Sequence, residues 1–64
     1  MIVDIEPGVV TIRDAEAILN LTLPVTLTPD QTRIIARNLM DKSEHTVAAE
    51  GLFRAADQAE RGSR

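Results

Sequence analysis

Four consecutive residues, Thr28-Pro29-Asp30-Gln31, divide the chain into two kinds of pattern and constrain its fold more than any other feature. Thr28 can cap the first backbone N–H groups of a helix, Pro29 suits the first helical position, and Gln31 completes a capping box. Before this junction apolar residues recur mostly at every second position; after it they recur at helical spacing. The pattern predicts a single α+β domain of order β-β-β-α-α, β-rich over 1–27 and helical over 28–61, with a frayed tail at 62–64.

In the first half, the β-branched runs Ile2-Val3-Asp4-Ile5-Glu6 and Val9-Val10-Thr11-Ile12 flank Pro7-Gly8. Pro presets φ and Gly accepts positive φ, so the segment predicts a hairpin with strands over 2–6 and 9–13. Leu19, Leu21, Leu23, Val25 and Leu27 then alternate with Asn20, Thr22, Pro24, Thr26 and Thr28. Strict period two predicts a half-buried strand over 18–27, at a sheet edge or bulged at Pro24, which has no N–H to donate. Residues 13–21 also fit a helix capped by Thr11, with Ile12, Ala15, Ile18 and Leu19 on one face. A turn at 14–16 joining two strands is preferred, because the alternation runs on from Ile18 without a stop signal.

In the second half, Ile34, Ile35, Ala36, Leu39 and Met40 make an apolar stripe. No apolar residue occurs from Asp41 to Thr46, which is either one exposed turn of a long helix or a break with Ser43 capping a second helix. The break is preferred. The second helical stretch, from about Glu44 to Glu60, carries Ala48, Leu52, Ala55 and Ala59 beside Ala49, Phe53 and Ala56. Its Ala-rich seam and mid-helix Gly51 suggest close packing by another helix.

Size limits what such a fold can do alone. A chain of 64 residues buries only about 60% of the surface its unfolded form exposes. With no cysteine, one histidine and Phe53 as the sole aromatic residue, neither a disulfide nor a Cys/His zinc site can supplement the core. Association is the remaining support. No run approaches the ~20 apolar residues of a membrane span and no basic-then-apolar leader is present, so a cytoplasmic protein without membrane contact is expected. Residues 1–30 carry Asp4, Glu6, Asp14, Glu16 and Asp30 against Arg13 alone, the wrong sign for binding phosphates.

Chemistry-bearing constellations are sparse. Asp41, Glu44 and His45 would share one face of a continuous helix and could hold a divalent cation; with no further ligand cluster, a solvated turn is the better reading. His45 is read as a surface histidine rather than a general base, having no Ser or Cys nucleophile near it in sequence. The glycines at 8, 51 and 62 match no phosphate-loop spacing. The expectation is a non-enzyme with no catalytic, metal or cofactor site and no small-molecule substrate.

Two resemblances accompany this. The stretch Val25-Thr26-Leu27-Thr28-Pro29-Asp30-Gln31, with Ile35-Ala36-Arg37-Asn38-Leu39 and Ala55-Ala56-Asp57-Gln58-Ala59-Glu60, resembles small uncharacterised proteins of actinobacteria and their phages. The resemblance covers about half the chain; it implies a source, possession of a β segment running into an Ala-rich helix, and no activity. The strand–helix–helix order of residues 21–60 resembles the ribbon-helix-helix family of dimeric DNA-binding proteins, which implies Thr22, Pro24, Thr26 and Thr28 as groove-facing residues. The ribbon has no Lys, Arg, Asn or Gln between Leu21 and Pro29 for bidentate base contacts, and the family lacks the two preceding strands. The leading expectation is a non-catalytic interaction module, phage-encoded on the first resemblance, that binds or inhibits a host protein or homodimerises. Its candidate contacts are Thr22 and Thr26 on the strand and Ala48, Leu52, Phe53, Ala55 and Ala59 on the helical seam. DNA binding is the alternative.

Overall fold

The computed structural model describes residues 1–43 and 45–62. Among these, strands β1 (Ile2–Glu6), β2 (Val9–Arg13) and β3 (Val25–Leu27) form an antiparallel sheet in that order. One helical turn, α1 (Glu16–Leu19), interrupts the path from β2 to β3, and α2 (Pro29–Lys42) and α3 (Thr46–Gly62) follow. Three antiparallel strands before two main helices are the α+β architecture expected.

The hairpin forms as its turn chemistry dictates. Gly8 takes φ 75°, the positive value that the Pro-Gly turn demands, and the register runs from Ile2 opposite Arg13 to Glu6 opposite Val9. Val10 and Ile12 point to the helical layer and are fully buried, with Leu27 and Val25 opposite them on β3. The other face is solvated and carries an ion pair between Arg13 and Asp4 at 2.9 Å, both about half exposed. Exposed pairs of this kind contribute roughly 0–1 kcal/mol.

The leucine alternation does not make the long strand expected over 18–27. Strand is confined to Val25–Leu27, an edge strand that starts immediately after Pro24. Asp14 (φ 53°) and Asn20 (φ 56°) both adopt the left-handed conformation, which short polar side chains tolerate best. Between them the backbone closes into α1: the Ala15 carbonyl accepts the Leu19 N–H at 2.7 Å, and Asn20 caps the turn through Glu16. The β2–β3 register, continued, would set Ala15 opposite Thr22; it faces Leu21 instead. The excursion therefore shifts the pairing by one residue. Leu23 falls outside the ladder and is 75% exposed.

The capping box is present as expected: Thr28 accepts from the Gln31 N–H at 3.1 Å and Gln31 accepts from the Thr28 N–H at 3.0 Å. Thr32, fully buried, donates its hydroxyl to the Thr28 carbonyl at 2.8 Å. The helical region breaks after Lys42, but Ser43 plays the opposite role to that expected. It ends α2 in the left-handed conformation (φ 57°), donating its N–H to Met40. The His45 carbonyl accepts the first bond of α3, from Ala49; Glu44 lies outside the described residues, as do Ser63 and Arg64 of the expected tail. Arg61 and Gly62, by contrast, belong to α3.

The two helices pack against each other, and most of their buried side chains are small. Thr32, Ala36 and Leu39 are buried on α2, and Ala49, Leu52, Ala55, Ala56 and Ala59 on α3. Gly51 takes no part in this. It lies on the exposed face of α3 with nothing within 4 Å of where a Cβ would stand. At the far end of α3 the Ala59 carbonyl accepts the Gly8 N–H at 2.8 Å, tying the hairpin turn to the helix.

Candidate functional site

The seam residues singled out in the sequence are largely interior. Leu52 and Ala59 are fully buried and Ala55 nearly so, in the chain's own core. The element that packs most extensively on α3 is α2 of the same chain. Phe53 is half-buried against that core. Thr22 and Thr26 are exposed, Thr26 on the solvated sheet face opposite Thr11.

The larger aliphatic side chains gather elsewhere. α1 is too short to bury a face of its own, and no residue in it is fully buried. Its Ile18 and Leu19, together with Leu21, stand across from Ile35 and Leu39 of α2 and line an open hollow of about 400 Å³. Asn20, Asn38 and Lys42 supply its polar lining. Ile18 also lines a second hollow of about 430 Å³, with Met1, Val47 and Ala48 as apolar walls and His45 and Thr46 beside them. Ile18 thus lines both hollows, which together form an apolar region at the α1 end of the molecule, called here the groove. Ala48 is the one residue of the expected set that the groove includes. Val47, in the first turn of α3, is 82% exposed.

Ile18, Leu21, Ile35, Lys42 and Val47 were not identified as site residues from sequence. A usable signal was Asp14 and Asn20 bracketing Ile18 and Leu19, since both residue types favour positive φ and can fold an apparent strand into a turn.

The densest polar cluster lies away from this groove. Arg33 on α2 reaches Asp30 at 3.1 Å, Asp57 on α3 at 3.0 Å, and Glu60 in close contact. Hydrogen bonds to Glu60, then to Asp57, raise the Arg33 pKa above the ordinary arginine value against an opposing effect of burial. All three acids are accounted for by one guanidinium that clamps α2 to α3, a structural arrangement. Asp41 and His45 flank the break between helices, and among the described residues no group of three or more His, Cys, Asp or Glu is placed to hold a metal. No helix of the described residues is long and apolar enough to cross a membrane. Comparison of the chain with protein-family models, curated proteins and solved structures finds no match.

Proposed function

We propose that this chain is a small, non-catalytic protein–protein interaction module that engages another polypeptide through the groove around Ile18. One observation carries this. The interior is filled mainly by alanine, whereas Ile18, Leu19, Leu21 and Ile35 are only half-buried and Val47 is exposed, all along two hollows that share Ile18. Scattered exposed aliphatics are ordinary on a protein surface, but a contiguous apolar groove with a polar rim is the anatomy of a recognition site.

The test is mass in solution and stoichiometric complex formation, compared across two variants. Val47→Asp removes an exposed wall of the groove and should stay folded, because an acid in the first turn of a helix is favourable. Gln58→Glu alters an exposed position of α3 outside the groove lining. A defined complex, with a protein partner or a second copy, should be lost in Val47→Asp and kept in Gln58→Glu. A monomer that forms no stoichiometric complex overturns the proposal, as does a complex that both variants retain.

A further inference from the structure

The groove has a charge character of its own. Ten of the chain's 64 residues are Asp or Glu and its net charge is −3, yet among the described residues no acid lines either hollow. The ionisable side chains there are Lys42 in the first and His45 in the second. Four acids elsewhere are engaged with bases, Asp30, Asp57 and Glu60 by Arg33 and Asp4 by Arg13. Neither base lines the groove. Lys42 is exposed and makes none of these ion pairs, leaving its ammonium beside apolar walls and the amides of Asn20 and Asn38.

We propose that the groove takes an acidic amphipathic segment of a partner protein, with apolar side chains between α1 and α2 and a carboxylate against Lys42. The inference rests on the interaction reading above and adds the chemistry of the partner. A second copy fits less well. A two-fold dimer buries the same patch on both subunits, so each Lys42 would be covered by a surface whose described lining offers it no carboxylate. An acidic segment supplies that carboxylate, and amphipathic helices dock in apolar grooves through side chains three and four residues apart. The amides of Asn20 and Asn38 can satisfy polar groups at the edge of such a segment.

The experiment uses the full chain and two fluorescein-labelled synthetic peptides. Both carry leucines at positions i, i+3, i+4 and i+7; one has glutamate, the other lysine, at the positions flanking that stripe. Binding is read by fluorescence anisotropy at low salt, with the solution mass of the chain recorded in parallel. The glutamate peptide should bind about fivefold tighter than the lysine peptide, a gap that salt narrows. This preference runs against the net charge of the whole chain, so bulk electrostatics cannot produce it. Lys42→Glu should abolish or reverse it, and Val47→Asp should weaken the glutamate peptide. Equal binding of the two peptides, lost in Val47→Asp, overturns the acidic partner and leaves the interaction module standing. Preference for the lysine peptide overturns it as well. Binding of neither peptide by a monomeric chain removes both readings. A dimer that Val47→Asp dissociates makes the second copy the occupant and overturns the acidic segment.

Discussion

Where α2 meets α3, the buried positions are Thr32, Ala36 and Leu39 on one helix and Ala49, Leu52, Ala55, Ala56 and Ala59 on the other. One residue along from Ala36, on the adjoining strip of α2, Ile35 faces the groove and is only half-buried. The seam therefore holds the smaller side chains and the groove many of the larger ones, although the larger ones gain more from leaving water. The difference lies in what stands opposite. Along the seam a full-length helix runs beside α2, and alanine lets the two backbones approach closely enough to exclude solvent. Beyond Ile35, among the described residues, stand the single turn of α1 and Leu21, which leave that isoleucine only half-buried. Exposure at the groove follows from a shortage of covering backbone.

The largest effect that would sharpen this contrast is expected at the seam. Leu52→Ala removes one of the largest fully buried side chains and should cost about 2–5 kcal/mol, enough to unfold much of a domain this small. Chemical denaturation followed by circular dichroism reads it. The matching change at the groove, Leu21→Ala, should cost clearly less, since that side chain is only partly buried. Equal losses at the two sites would break the comparison.

Overpacking comes next. Ala59→Leu forces a larger side chain into a fully buried position and should cost roughly 1–3 kcal/mol. A neutral result would mean that the two helices can separate without penalty. Gly51→Ala should act in the opposite direction, raising stability by about 0.5–1 kcal/mol, because the added methyl meets nothing within 4 Å. A loss of stability there would place Gly51 in a close contact and restore the role its sequence setting suggested. The smallest effect belongs to Val47→Asp, for which the denaturation midpoint should shift by no more than about 0.5 kcal/mol in stability. A large loss would show that the exposed groove wall supports the fold.

Local chemistry made much of this fold legible. The Pro7-Gly8 turn and the β-branched runs on either side place both strands of the hairpin, and Thr28 to Gln31 place the start of α2, because each signal acts within a few residues. The leucine alternation misleads because period two describes side-chain type alone. Backbone φ at Asp14 and Asn20 decides that Ile18 and Leu19 sit in a turn. Ser43 is equally ambiguous, since serine caps helix starts readily and here instead occupies a left-handed position at a helix end. Alanine spacing on α3 correctly announces a helix neighbour, but spacing does not say whether that neighbour belongs to the same chain. The groove is less legible still: its walls come from α1, α2, the first turn of α3 and the start of the chain, and only folding brings them together.

The hydrogen bond from the Gly8 N–H to the Ala59 carbonyl has a consequence for how the chain is made. Synthesis proceeds from the N-terminus, so the β1–β2 hairpin is made before its acceptor at the end of α3 exists. A two-stranded hairpin by itself is marginal in water, and its apolar face, with Val10 and Ile12, has no helix to lie against until α2 and α3 emerge. The hairpin is therefore made early relative to the helices and secured late, and a ribosome stalled before Ala59 would hold a hairpin whose turn has not yet been fastened.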